Sequence, residues 1–378
     1  MFSSAEPSPL WGPGKVVGGR YRLFGRIGAG AMGSASAWQL AKAGADVTLL
    51  EQFERGHDRG SSHGTVRIFR LAYADDLYVG MAAASQPLWA ELEAEADEEL
   101  IERVGAVDHG VPERIHEVAA ALGRAGIRHE LLGPEEAAER WPFLRIEGPA
   151  VFQPDGGISF ADRTVRAAQD VAAGLGAEVA HEEPARAIHL RDGGVVVVTD
   201  RRELRADVVV VSAGAWAAPV VGDLVPLPPL TVTFQQPGWF APRDPTAVWP
   251  SFIHYRDTSS ASAASFGAYG MGDPGIGGRR TSFPGTAVKV GEESVPRVVD
   301  PADGPFEVSQ EALRRLADYV EIWLPGLYPV PLRAETCLFT QTPDDDFVLD
   351  RRGPVVVASP CSGHGFKFTP LIGKLVAD

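Results

Sequence analysis

The clearest alternation of hydrophobic and polar positions lies near the start of the chain, around three glycines. Gly28, Gly30 and Gly33 precede a helical stretch that ends near Gly44, and an apolar strand over 47–50 follows. This succession predicts a strand, a tight turn, a helix and a second strand, which is the βαβ unit that binds dinucleotides. The pattern therefore predicts an α/β fold with a nucleotide cradle at the turn.

The residues of this unit have separate predicted tasks. Gly28 permits the sharp turn, Gly30 lets backbone amides approach a pyrophosphate, and Gly33 lets the helix pack closely on the strand. Glu51 closes the second strand, where a carboxylate can accept both ribose hydroxyls. A glycine triplet alone could form an ordinary turn, but the strand and the acid that follow favour the dinucleotide interpretation.

The strand before the glycines departs from the expected pattern. A central strand should be apolar, yet Arg26 falls within it, and a charged side chain is costly to bury. Two explanations stay open: the strand is distorted at this end, or the N-terminal segment did not evolve with the domain. Residues 1–19, rich in Pro, Gly and Ser, are predicted to form a frayed arm.

Helical and strand patterns alternate after the βαβ unit. Residues 77–140 predict helices with acidic faces, and 161–175 predict another helix. A hairpin is predicted over 187–199, and a buried strand over 208–211 runs into a small-residue turn at Gly214. That turn either approaches a cofactor or is only the tight exit of a buried parallel strand.

The later part of the chain predicts a second domain. Residues 226–305 are rich in aromatics, Gly and Pro, and a serine-rich run at 258–265 is predicted to be a solvated loop. An amphipathic helix begins at Ser309 and ends before Pro325. Short apolar strands follow, including one over 355–357.

Composition and charge narrow the class of protein. The 378 residues suffice for two or three domains, and 45% hydrophobic with 22% charged residues is typical of a globular protein. The net charge of −15 disfavours nucleic-acid binding, so an anionic substrate would need locally placed cations. Two cysteines, Cys337 and Cys361, are too few for a disulfide framework and lack zinc-ligand spacing. Without a leader pattern or a long apolar run, we expect a cytoplasmic protein with no membrane partner.

Separated motifs then give a specific resemblance. The motifs, in chain order, are GSSHGTVRIFRLAY (60–73), DGGISF (155–160), SAGAW (212–216), KVG (289–291), CLFTQTPDDDFVLD (337–350) and SGHGFKF (362–368). With these motifs the chain, from about Ile27 onward, resembles the monomeric sarcosine oxidase family, which also contains N-methyltryptophan oxidase and pipecolate oxidase.

The resemblance implies a fold and a domain division. A Rossmann-like FAD-binding domain would comprise 20–85, 150–225 and 327–378, and an α+β substrate domain would comprise 86–149 and 226–326. Both domains would be discontinuous in sequence. The resemblance also implies a monomer that acts on a small amino acid and molecular oxygen.

The implied cofactor is FAD, attached covalently through a cysteine thiol. Cys337 matches that cysteine because it begins its motif, although a buried structural cysteine is the alternative. Cys361 is interpreted as a core residue. The positions assigned to the cofactor are Gly28, Gly30, Ala31, Met32, Gly33, Glu51, Gly60, Ser61, His63, Gly214, Cys337, Gly363, Gly365 and Lys367.

The motifs also assign residues to substrate and chemistry. His63 and Arg67 match residues beside the flavin ring, and Arg70 with Lys367 matches a clamp for the substrate carboxylate. An arginine fork binds a carboxylate bidentately while a lysine adds a point charge. The alternative is that these cations only form surface salt bridges.

Two further residues belong to the implied site. Lys289 matches a lysine that promotes oxygen reduction, because a fixed cation stabilises the negative charge that develops on dioxygen; an exposed strand lysine is the alternative. Tyr269 matches an aromatic residue near the substrate. Phe339 and Glu293 stand where relatives often carry tyrosine and histidine.

The implied reaction is oxidation of a secondary or N-methylated, sarcosine-like amino acid. The resulting imine would be hydrolysed to aldehyde and amine, and oxygen would be reduced to hydrogen peroxide. Two alternatives stay open. One is an NAD-dependent dehydrogenase that uses the same glycine loop, and the other is a non-catalytic or truncated relative, since the chain stops at Asp378 where relatives continue.

Overall fold

The computed structural model describes residues 22–26, 28–256, 267–275, 287–292 and 297–378, with only the backbone for 22–26. The predicted arm, the predicted serine-rich loop and Glu293 lie outside these residues.

Helices and strands alternate through the described part of the chain. The helices are α1 (Ala31–Lys42), α2 (Asp76–Ala96), α3 (Pro112–Arg124), α4 (Pro134–Arg140), α5 (Ala161–Gly174), α6 (Ala217–Val221), α7 (Gln310–Trp323) and α8 (Thr369–Ala377). The strands are β1 (Arg22–Arg26), β2 (Asp46–Leu50), β3 (Val66–Phe69), β4 (Ile101–Glu102), β5 (Ala106–Gly110), β6 (Glu130–Leu132), β7 (Ala150–Gln153), β8 (Gly157–Phe160), β9 (Glu178–Ala180), β10 (Ala185–Arg191), β11 (Gly194–Thr199), β12 (Glu203–Ala206), β13 (Val208–Val211), β14 (Thr231–Gln235), β15 (Gly238–Pro242), β16 (Ser251–Tyr255), β17 (Ala268–Asp273), β18 (Ala287–Glu292), β19 (Arg297–Val298), β20 (Leu327–Ala334), β21 (Cys337–Gln341), β22 (Val348–Arg352) and β23 (Val355–Ser359).

A six-stranded sheet forms the first layer and confirms the predicted βαβ unit. Its order is β22-β23-β13-β1-β2-β9, and every pair is parallel except β22 with β23. The strand before the glycines forms, and it pairs with β2 over residues 22–26 and with β13 over residues 23–26, despite the arginine in its sequence. Parallel strands place their carboxyl ends at one edge, which positions the glycine turn beside the turn after β13.

Helix α1 packs against this sheet and between α5 and α8. Its small residues make the approach possible: a Cβ on Gly33 would clash with the carbonyl oxygen of Gly28. The same holds for Gly373 in α8, where a Cβ would clash with the backbone of Ala35. The N-terminus of α1 is thereby fixed against the glycine turn.

A larger mixed sheet forms the second layer. Its order is β20-β15-β18-β17-β16-β5-β7-β6, and α7 packs on it around Leu316 and Val320. The side chain of Ser309 caps α7 by accepting from the backbone N–H of Ala312, which confirms the predicted start. Three-stranded sheets, β3-β8-β4 and β19-β14-β21, complete the walls. The α/β fold class is confirmed.

The prediction that residues 77–140 are helical is wrong in part. Three helices are present, but β4, β5 and β6 interrupt them. These strands are two to five residues long and pair with β8, β7 and β16 far along the chain, so local periodicity does not reveal them. None of the helices within the described ranges is long and apolar enough to cross a membrane.

The domain division stays a prediction, although sheet pairing bears on two of its boundaries. Residues 150–153 and 327–334 were assigned to the FAD domain, yet both segments are strands of the large sheet. We propose boundaries a few residues later, after β7 and after β20.

Candidate active site

One cavity of about 580 Å³ opens between the two sheets and brings together the predicted site residues. All of them line it except Gly33, which lies behind the glycine turn and serves the packing of α1. The predicted residues on the wall are Gly28, Gly30, Ala31, Met32, Glu51, Gly60, Ser61, His63, Arg67, Arg70, Gly214, Tyr269, Lys289, Cys337, Gly363, Gly365 and Lys367.

At one end of the cavity the glycine turn presents backbone amides. Gly28 has φ of +103°, and a Cβ there would lie 2.5 Å from the carbonyl oxygen of Ser212. A Cβ on Gly30 would lie 2.8 Å from Ser62 Oγ, which accepts from the N–H of Ala31 at 3.1 Å. No side chain caps α1 at its N-cap position, so the helix dipole and amides favour an anion here.

Glu51 fixes the second wall of this end. Its carboxylate is 1% exposed, and its two oxygens accept from the N–H of Ala29 at 2.6 Å and of Phe53 at 3.0 Å. These bonds tie the end of β2 to the glycine turn. Each oxygen keeps a further lone pair, which is the acceptor that a ribose hydroxyl requires.

Gln169 on α5 supports the glycine turn, and the sequence motifs did not identify it. Its Nε2 donates to the carbonyl of Ala29 at 2.7 Å and contacts Ser34 Oγ at 3.3 Å. Ser34 Oγ also donates to Ala29 O at 2.9 Å. The only sequence signal was a glutamine on the buried face of a predicted helix. Gln169 lines the cavity and is 3% exposed.

Arg67 is held by backbone carbonyls at the centre of the cavity. Its Nη2 donates to the carbonyls of Ser61 at 2.8 Å and His63 at 2.6 Å, and its Nη1 donates to Val66 O at 2.9 Å. Burial, then Arg67, then Lys289 lower the pKa of His63 to about 3, so its imidazole is neutral. His63 Nε2 is buried without a hydrogen-bond partner among the described residues.

Lys289 lies on β18 as a buried cation. Its Nζ lies 3.5 Å from the carbonyl of Val66 and 5.0 Å from the ring centroid of Trp239, opposite it on β15. Burial, with Arg67 second, lowers the pKa of this amine to about 8. No carboxylate among the described residues forms an ion pair with Nζ, so the charged form, which prevails below about pH 8, is available to a group in the cavity.

Both cysteines lie on the cavity wall. Cys337 begins β21 and is half-buried; burial raises the pKa of its thiol, against the opposing effect of Arg67 and Lys289. Cys361 was predicted to be a core residue, but it is half-buried and lines the cavity because the chain turns here after β23. Ser61 Oγ donates to the carbonyl of Leu338, which ties the β21 segment to the segment before β3.

Arg70 lies at the far end of the cavity, 6% exposed. Its Nη1 donates to the carbonyl of Ala72 and, at 2.7 Å, to Asp108 Oδ2, and its guanidinium lies 4.7 Å from the ring centroid of Tyr73. Burial opposes the charged form, but Asp108 and then the tyrosines outweigh it and raise the pKa of Arg70. Arg70 therefore forms a salt bridge, but a buried one on the cavity wall and not the surface pair of the alternative.

Lys367 lies beside Arg70 and shares Tyr73 with it. Its Nζ donates to Tyr73 Oη and to the carbonyl of His364, both at 2.7 Å. Burial, then Arg70, lowers the pKa of Lys367 well below its usual value, and the pKa of His364 falls to about 3 by burial and then Lys367. With His364 neutral, the network assigns its Nδ1 as acceptor from Tyr73 and its Nε2 as donor to Asp345 O.

The aromatic residue predicted near the substrate is also in place. Tyr269 lies on β17, opposite Ile253 on β16, and lines the cavity beside Met271. Burial raises the pKa of its hydroxyl, so the side chain is neutral. It supplies an uncharged aromatic part of the cavity wall.

The fold and this cavity define a dinucleotide-binding oxidoreductase. The amide-rich cradle, the fixed Glu51 carboxylate, the Cys337 thiol on the wall and the buried, unpartnered His63 Nε2 are groups that FAD can engage. Residues 27–378 match the family of FAD dependent oxidoreductases, and the chain belongs to that family. Since the family uses FAD, the nicotinamide alternative is not supported.

Similar proteins carry related names. The chain is 33% identical to monomeric sarcosine oxidase of Streptomyces avermitilis, over 93% of this chain and 91% of that protein. It is 29% identical to N-methyl-L-tryptophan oxidase of Yersinia pestis, over 93% and 92%. The open form of NikD, described as an unusual amino acid oxidase essential for nikkomycin biosynthesis, matches with a TM-score of 0.81 and 26% identity, covering 95% and 93%. The resemblance stated from the motifs is confirmed.

Proposed function

We propose that the protein oxidises a small secondary or N-methylated amino acid, with FAD as cofactor and oxygen as acceptor. The observation that carries this proposal is the meeting of a nucleotide cradle, a thiol and buried cations on one cavity. The chain carries a net charge of −15, so cations concentrated here favour an anionic ligand. The similar proteins named above support the substrate class.

The substrate carboxylate is assigned to Arg70 and Lys367. The bonds of Arg70 to Ala72 and Asp108 are both made by its Nη1. The other edge of the guanidinium, formed by Nη2 and Nε, is therefore assigned to a bidentate substrate carboxylate. A bound carboxylate favours the charged form of Lys367, which donates twice to protein acceptors and keeps one of its three ammonium protons for the substrate. The two residues orient the amino acid and exclude water from its charged end.

Bound FAD supplies the two-electron chemistry, and the chain supplies position and charge. Lys289 presents a cation to the oxygen that accepts the electrons, as electrostatic stabilisation requires. His63 stays neutral next to Arg67, which avoids a further like charge. Cys337 is the proposed point of covalent attachment.

Peroxide release tests this function. Purified protein is supplied with FAD and then with sarcosine, N-methyltryptophan or pipecolate, and hydrogen peroxide is measured. Turnover of at least one of them is expected. Protein that stays colourless after FAD is supplied would support the alternative of a non-catalytic relative.

The oligomeric state and the compartment are further parts of the proposal. The relatives named monomeric favour a monomer, which size-exclusion chromatography with light scattering tests. The composition favours a cytoplasmic location, which fractionation tests.

A further inference from the structure

A second layer of residues lies behind the arginine of the proposed carboxylate site. Asp108 Oδ2 accepts from Arg70 Nη1 at 2.7 Å and from Tyr255 Oη at 3.1 Å. Tyr255 Oη also lies 3.3 Å from Arg70 Nη1. Asp108 is fully buried and Tyr255 is 6% exposed, and neither lines the cavity that Arg70 lines. Any effect of this pair on a ligand is therefore indirect, through its bonds to Arg70 and through the charge of Asp108.

The large sheet holds this pair in a fixed place. Asp108 lies on β5 and Tyr255 on β16, which are neighbouring parallel strands with Asp108 opposite Ile253. Such a backbone frame positions side chains more closely than a loop does. The triad of Arg70, Asp108 and Tyr255 is thus built into the sheet that faces the cavity.

The ion pair has two effects on Arg70. The bond to Asp108 occupies Nη1, so the guanidinium edge formed by Nη2 and Nε is left for an acceptor other than Asp108. The ion pair also cancels one of the two positive charges at this end of the cavity, which leaves Lys367, whose charged form a bound carboxylate favours, as the uncompensated cation here. A ligand with one carboxylate then balances the charge at this end, whereas a second carboxylate beside the first would meet no second uncompensated cation there.

We infer that Asp108, held by Tyr255, is a positioning and specificity-determining residue that restricts the site to ligands with a single carboxylate. The inference rests on the proposed function, because it takes Arg70 to be the residue that binds the substrate carboxylate. Asp108 acts through Arg70 and through its own charge, and it touches no substrate.

The experiment compares two probes of equal size in the holoenzyme. Succinate carries two carboxylates, and succinamate carries one carboxylate and one neutral amide. Binding of each is measured by calorimetry at pH 8. The natural protein is expected to bind succinamate at least about tenfold more tightly. Asp108→Asn keeps an oxygen that accepts from Arg70 but removes the charge, so it should narrow this ratio about tenfold, or about 1.4 kcal/mol.

Equal binding of both probes by the natural protein would overturn the inference, and so would an unchanged ratio in Asp108→Asn. Tyr255→Phe keeps the charge and loosens the pair, so both probes should weaken about three- to tenfold with the ratio unchanged. Unaltered affinities in Tyr255→Phe would also contradict it. The comparison of succinate with succinamate in the natural protein needs no variant. The inference can therefore be tested even if a variant fails to fold.

The matched control is another buried acid paired with an arginine. Glu183 is 3% exposed and accepts from Arg202 Nε at 2.9 Å and Thr199 Oγ1 at 2.9 Å, away from the cavity wall. Glu183→Gln should leave the ratio unchanged, and a narrowed ratio there would overturn the inference. Neither probe is an amine substrate, so their binding can be measured independently of turnover. If the probes bind in the expected ratio but the protein oxidises no amino acid, only the proposed function is refuted.

Discussion

Replacing Lys289 by methionine should stabilise the protein and slow its reaction with oxygen. The side chain is buried, and its pKa falls from 10.5 to about 8 because burial, and then Arg67, disfavour the charged form. Methionine fills a similar volume without the charge. The same change therefore removes an unfavourable buried cation and the group proposed to stabilise reduced oxygen.

The first magnitude follows from the pKa of Lys289 and the second from Coulomb's law. A pKa lowered from 10.5 to about 8 corresponds to about 3 kcal/mol of instability in the charged form. Between pH 8 and 10.5 the unfolded chain binds the extra proton, so natural stability rises with pH through this window. The free energy of unfolding of Lys289→Met should exceed that of the natural protein by up to about 3 kcal/mol at pH 7, and this difference should disappear by about pH 10.5. A unit charge about 4 Å from a developing anion contributes about 4 kcal/mol at an effective dielectric of about 20, or roughly 10²- to 10³-fold in rate.

Urea unfolding at pH 7 and pH 10 measures the change in the free energy of unfolding. Rapid mixing of reduced enzyme with oxygen from pH 6 to 10 measures the change in the rate of reaction with oxygen. The natural rate should fall as the pH rises through about 8, whereas the variant should be slow at every pH. Lys374 is an exposed lysine on α8 paired with Asp378, so Lys374→Met is the control and should change neither quantity. A variant that reacts with oxygen at the natural rate would refute the reasoning.

Three further predictions concern the cofactor, the packing and the substrate. Cys337→Ser should release its flavin into the supernatant on acid precipitation while the natural protein keeps it in the pellet; release from both would contradict the attachment. Gly33→Ala should lose about 3 kcal/mol in urea unfolding because its Cβ clashes with Gly28, whereas Gly80→Ala in the open interior of α2 should gain about 0.5–1 kcal/mol. Lys367→Met should raise KM for the amino acid about tenfold or more, and a change confined to kcat would argue against the clamp.

Local patterns predicted the elements that carry their own signal. The glycine turn, the strand over 208–211 and the helix capped by Ser309 each depend on residues within a few positions of one another. The motifs also identified residues that the fold brings to one cavity from opposite parts of the chain, such as Arg67 and Lys289.

The elements and contacts that depend on pairing between distant segments could not be predicted from the sequence. Asp108 lies in the short run AVDHG, whose partners on β7 and β16 come about 40 and 145 residues later. An acid inside an apolar run was its only sequence signal. The cavity position of Cys361 depends on the turn after β23, and the bond from Lys367 to Tyr73 spans 294 positions. Neither follows from spacing.

The bonds that join residues 338 and 367 to residues 61, 85 and 89 have a consequence for biosynthesis. Ser85 Oγ and Trp89 Nε1 on α2 both donate to the carbonyl of Lys367, and Leu338 accepts from Ser61. A growing polypeptide leaves these donors without their acceptors until residues 338 and 367 have been synthesised. Folding of such long-range topology is slow, so the nascent chain must stay unaggregated for that interval, and the wall of the flavin site cannot be completed before residue 367 has been added.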